Sequence, residues 1–286
     1  MRFLLAAVLA AASLARSEPS LQLDDRLALR AVRFYRADHR TTRVTAFLEI
    51  PYAALVDPAG GGAGTGYQVT VRVADSTGAV LHTESWTGTV PPSAQAGAAA
   101  VETVEFLVAS GRYRLDAVAR NPLTGREARA TLELEGFDRP PAVSDLLLSP
   151  GIRLVSAGDT VPQPGELRRG GALVTAAAVP RLGPAHTTAH YLLEMYATGN
   201  HEEVGNITVS VRDSTGTTTL RWRPVPVRVP SGGSTLHGHV SLAGLKPGRY
   251  TLMVSVAVAG QTNERGAELV VDGGSVAQVK SVNSER

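Results

Sequence analysis

The sequence predicts an all-β chain made of two tandem β-sandwiches of immunoglobulin or fibronectin III type, and three observations predict it. The stretch YQVTVRVADSTG at residues 67–78 returns as NITVSVRDSTG at 206–216, with Asp75 and Asp213 lying 138 positions apart. The later Gly111-Arg112-Tyr113 and Gly248-Arg249-Tyr250 lie 137 apart, so the two halves stay in register from the aspartate to the glycine. Val and Thr cluster in short alternating runs, punctuated by 29 Gly and 17 Pro, and no helical heptad occurs. A length of 286 residues suits two domains that each bury a core.

The N-terminus MRFLLAAVLAAASLA has one basic residue, an apolar run and a small-residue site, the pattern of a secretory signal peptide over 1–15. The run is too short to span a membrane, which takes about 20 residues. The sequence holds no cysteine, hence no lipidation site, disulfide or thiol nucleophile. The expectation is a periplasmic or secreted protein with no transmembrane segment after cleavage.

Residues 16–26 read as a flexible lead-in and 27–135 as the first sandwich. Its strands are expected at 27–34, 44–52, 67–74, 79–86, 101–107, 113–120 and 128–135. In 44–52, Val44, Ala46, Leu48 and Ile50 form the apolar face, while Thr45 and Glu49 point outward. The glycine-rich loop at 58–66 precedes a strand and lacks lysine, so it is a hairpin connection and not a phosphate cradle. In both Asp-Ser-Thr-Gly turns the aspartate can bond the turn backbone, and the glycine tolerates a positive φ. Tyr113 and Tyr250 each open a strand behind a tight turn and suit a tyrosine corner, ring buried and hydroxyl on a nearby carbonyl.

Residues 136–171 read as a linker containing an apolar wedge, Ser144 to Pro150, buried on both sides. The second sandwich is expected over 172–272, with strands at 172–179, 189–196, 207–211, 217–229, 235–241, 250–258 and 267–271. The tail, 273–286, is polar and expected to be disordered.

These residues, taken in the order LEIPYAAL, VTVRVADSTG, GRYRLDAVARNPLTGREA, SDLLLSPGI, AHYLLEMYATG, ITVSVRDSTG and LKPGRYTLMVSV, resemble the N-terminal region of bacterial GWxTD domain-containing proteins. The resemblance spans roughly residues 27–271 and implies two sandwich-like units joined by a Ser-Asp-Leu segment. The Gly-Trp-x-Thr-Asp segment itself is absent: Trp86 sits in SWTG and Trp222 in RWRP.

Charge and chemistry narrow the function. A net charge of +2, almost all-arginine basic residues scattered along strands, and 5% aromatics argue against a nucleic-acid partner. His186, His190, His237 and His239 are the metal-ligand candidates, the last two sharing a strand face. Glu49 and Glu194 occupy matching places in the two halves, and an arginine partner is expected for each. Trp222, flanked by Arg221 and Arg223, is the candidate ring for a glycan ligand, with Trp86 the other tryptophan. No nucleophile motif or cofactor fingerprint is present. The expectation is a non-catalytic module with no cofactor that binds another envelope or secreted protein; a carbohydrate-binding module and a metal-dependent or hydrolase-accessory protein are the alternatives.

Overall fold

The computed structural model describes residues 26–56, 64–91, 98–155, 161–163, 165–183, 186–197 and 200–272. The signal peptide, the lead-in to residue 25, most of the glycine-rich loop and the tail lie outside the described residues.

The chain is all-β. Its first sandwich sets β1 (Ala28–Arg36), β2 (Thr41–Pro51) and β5 (Ala99–Val108), in the order β1-β2-β5, against a four-stranded sheet. That sheet holds β3 (Gly66–Asp75), β4 (Val80–Thr89), β6 (Gly111–Arg120) and β7 (Glu127–Gly136) in the order β4-β3-β6-β7. The fourth strand joins the sheet of the third, sixth and seventh, unlike the immunoglobulin constant arrangement. The expected apolar faces meet inside: Val44, Ala46, Leu48 and Ile50 of β2 pack with Val69, Val71, Val73, Leu115 and Ala117. A single helical turn, α1 (Tyr52–Leu55), follows Pro51 where a strand end was expected, and the buried Asn121 amide donates to Leu55 O at 2.9 Å.

The second sandwich repeats that strand order with different neighbours. β8 (Leu147–Ser149), the short strands β9 (Ile152–Leu154), β10 (Glu166–Arg169), β11 (Ala172–Thr175) and β12 (Arg181–Leu182), then β13 (Thr188–Met195), follow in sequence. They are succeeded by β14 (Glu203–Asp213), β15 (Thr218–Arg221), β16 (Val225–Val229), β17 (Ser234–Ser241), β18 (Gly248–Val258) and β19 (Gln261–Val271). One sheet is β8-β13-β17; the other is β12-β19-β18-β14-β15, with β16 also on β14.

Three sequence expectations are corrected here. The stretch 172–179 does not open the second sandwich: β11 forms a separate sheet, β10-β11-β9, and β8 takes the edge beside β13. The apolar wedge is therefore a strand, and the expected linker is largely built structure. Residues 217–229 form two strands and not one, because Pro224 has no N–H for the ladder and both pieces pair separately with β14. Finally, Thr45 is buried on the face assigned to solvent, and Phe47 beside it is fully buried.

Those burials have one cause, a third apolar core. Val32, Phe34 and Phe47 from the first sandwich meet Leu147 and Leu192 from the second, with Ala172, Val174, Ala176 and Ala178 over them. Leu146 and Leu148 turn the other way, into the second sandwich's own core. The wedge is thus buried on both sides, because β8 divides two cores.

The turns and corners form as their residues dictate. The Asp75 carboxylate accepts from Thr77 Oγ1 (2.6 Å), Thr77 N (2.8 Å) and Ala79 N (3.0 Å), and Asp213 accepts from Thr215 Oγ1, Thr215 N and Thr217 N at 2.6, 2.9 and 3.0 Å. Hydrogen bonds from Thr77 and Thr215 hold the two carboxyls below their ordinary pKa. Gly78 and Gly216 follow at φ of 88° and 84°. The Tyr250 hydroxyl donates to Lys246 O at 2.8 Å and Tyr113 to Ala109 O at 3.2 Å, so both are tyrosine corners. Tyr250→Phe is expected to cost about 1 kcal/mol in urea unfolding. Tyr113→Phe, which breaks a longer bond, should cost less.

Candidate functional site

Polar side chains line the seam around the third core. Arg33 holds Asp145 by Nε (2.8 Å) and Nη2 (3.1 Å), and its backbone N–H donates to the same carboxylate at 3.0 Å. Asp145 N in turn donates to Arg33 O at 3.0 Å, so the wedge bonds β1 as a strand neighbour would. Arg30 Nη2 donates to Leu146 O at 2.6 Å, while its Nη1 is out of solvent and has no hydrogen-bond partner among the described residues. Burial lowers the Arg30 pKa to about 10, against the opposing pull of Asp145 and Glu268. Arg265 donates to Ser144 O and Val143 O. Arg169, 4% exposed, reaches Thr45 Oγ1 and Glu105 Oε1 and lies over the Phe34 ring at 4.8 Å.

The paired glutamates of the two halves go to this seam separately. Glu49 meets Arg181 at 3.7 Å, the expected arginine partner. Glu194 instead accepts from Tyr196 Oη at 2.8 Å. The same phenol oxygen accepts from Tyr35 N–H at 2.7 Å; burial, then the Glu194 charge, pushes its pKa up. Each glutamate is held by its own partner.

Beside the seam lies a groove of about 670 Å³. Its floor is Leu29 and Ala31 of β1 with Leu132 and Leu134 of β7; Arg33, Asp145, Arg112 and Glu135 stand at its polar rim. β1 pairs only with β2 and β7 only with β6, and among the described residues no backbone hydrogen bond joins β1 to β7. Since Arg33 directs its N–H and C=O to Asp145, Leu29 and Ala31 two and four positions back aim theirs the same way, at the groove. On the far wall Glu135 O accepts from Arg33 Nη1 at 2.8 Å, which sets Glu133 facing inward by the same alternation. The groove has two sheet edges for walls and an apolar floor.

The remaining sequence candidates divide. His190 and His239 are register partners across β13 and β17, with ring centres 5.8 Å apart. Burial, then His239, lowers the His190 pKa. His237 lies on the same face opposite Leu192, and His186 sits apart in the turn before β13, its N–H on Gly183 O. Among the described residues no group of three His, Cys, Asp or Glu side chains is placed to hold a metal ion. Trp222 and Trp86 are both partly buried, each packed against its own sandwich core.

The seam arginines and the groove escaped the sequence reading. An arginine on a strand looks solvent-facing until a second sheet covers it; the lone acid Asp145 inside an apolar run was the one local signal.

No family model and no curated protein matches the chain. Among solved structures it is similar to red sea bream transglutaminase at 13% identity and a TM-score of 0.26, over 86% of this chain and 31% of that one. The chain thus spans about a third of that protein's length, and a likeness at that score assigns neither activity nor substrate.

Proposed function

We propose that the chain is a non-catalytic binding module of the bacterial envelope that takes an extended segment of another exported protein into the groove between β1 and β7. The observation that carries this reading is the groove itself, because its two walls are unpaired strand edges. An inserted strand would pair along the β7 edge at Glu133, and its alternate apolar side chains would settle on Leu29, Ala31, Leu132 and Leu134. The signal-peptide pattern supports the location, and the resemblance to the sandwich region of GWxTD domain-containing proteins supports an architecture of two joined sandwich units.

The test places a photo-crosslinking residue at Leu132, in the groove, or at Thr83, on the opposite edge strand β4, in a bacterial host that makes the protein. Capture is expected at Leu132 and not at Thr83, on a segment whose apolar residues alternate. Glu133→Pro removes an edge N–H that no neighbour uses and should abolish capture with little change in melting temperature. Equal capture at both positions, or capture that survives the proline, overturns the reading.

A further inference from the structure

We propose that His190 and His239 bind a first-row divalent cation on the outer face of the β8-β13-β17 sheet, away from the β1–β7 groove. The two residues face one another directly across the β13–β17 ladder, so their Cβ atoms share one side of the sheet at cross-strand distance. Their ring centres are 5.8 Å apart with the planes tilted by 40°. Two imidazoles sharing an ion at about 2.1 Å and a tetrahedral angle hold their ring centres about 5 Å apart. A small turn of the exposed His239 closes that gap.

The surroundings keep the pair in place. On its other flank His190 has Ser149 as register partner, whose hydroxyl lies within hydrogen-bond distance of Gly151 O (2.6 Å) and Thr175 O (2.8 Å), between which its one hydrogen is shared. On β17, Gly238 beside His239 lies over the Tyr191 ring, where an added Cβ would sit 2.4 Å from the phenol oxygen. The β13–β17 ladder sets the spacing of the two imidazoles, and the bare Gly238 leaves room for the Tyr191 ring between the strands' side chains. His190 is half-buried and His239 exposed, so the pair is open to solvent on the β17 side.

Two imidazoles leave coordination positions open. Water or a group from another molecule fills them. Imidazole donors suit Cu²⁺, Ni²⁺ and Zn²⁺, and the intrinsic order of affinity puts Cu²⁺ first.

The experiment is calorimetric titration of the untagged chain with Cu²⁺, Ni²⁺ and Zn²⁺ in turn, repeated on His190→Ala, His239→Ala and, as control, His82→Ala in the first sandwich. The expected result is one ion per chain with Cu²⁺ tightest. Either site variant should weaken binding at least tenfold, and the control should not, with all melts alike by circular dichroism. Should His190→Ala fail to fold, His239→Gln at an exposed position carries the comparison alone. No one-to-one binding, or binding that the His239 variants leave unchanged, overturns the site.

Discussion

Phe47→Ala is expected to lower the unfolding free energy by roughly 3–5 kcal/mol, the range for truncating a buried phenylalanine. It should also split the denaturation curve in two. Phe47 is fully buried, but against the third core; the first sandwich's own core uses the other face of β2. The truncation therefore leaves each sandwich its own apolar contacts and empties the place where they meet. Urea unfolding followed by tryptophan fluorescence reads this directly, since Trp86 packs on the first core and Trp222 on the second. Wild type should give coincident transitions, and the variant a separation between them. A loss below about 1 kcal/mol with the transitions still coincident would show that the third core is not what joins the sandwiches.

Asp145→Ala is the second large effect. It removes a two-pronged ion pair and the acceptor for the Arg33 N–H, and leaves the Arg33 guanidinium with Glu135 O and the Phe137 ring. Breaking a fully buried pair costs about 3–5 kcal/mol; here the side chains are 29% and 21% exposed, so screening reduces the expected loss to about 2–3 kcal/mol. Asp145→Asn, which keeps one acceptor oxygen, should recover part of it. A double-mutant cycle with Arg33→Ala should give a coupling above about 1 kcal/mol, and additive losses would mean the two residues act independently.

The sandwiches were legible because each depends on local rules. Tyr67, Val69, Val71 and Val73 alternate and are all buried, and the two Asp-Ser-Thr-Gly turns close with the bonds their side chains allow. What alternation cannot report is a second covering layer. Thr45 and Phe47 occupy positions that a lone sandwich shows to water; Arg169 of β10 covers the first, and β11 and β8 cover the second. β9, β10 and β11 escaped for a related reason. They span three or four residues each, too few for a period to register, and they exist because the third core gives them something to cover. Within the candidate site the same limit applies. The histidine pair rests on a register between β13 and β17 that spacing within one strand only half suggests, and the groove on two edges brought together from residues about a hundred positions apart.

The third core also sets a timetable for synthesis. Val32 and Phe34 leave the ribosome early, yet Leu192, which completes their surroundings, is made 160 residues later. At about 5–20 residues per second the interval is roughly ten to thirty seconds. The first sandwich's own core is complete only at Leu134, and for the last third or so of that interval its outer sheet presents Val32, Phe34 and Phe47 with no cover. A chain in that condition invites either a holding chaperone or its own unfinished copies, and yield on overexpression should depend on which arrives first.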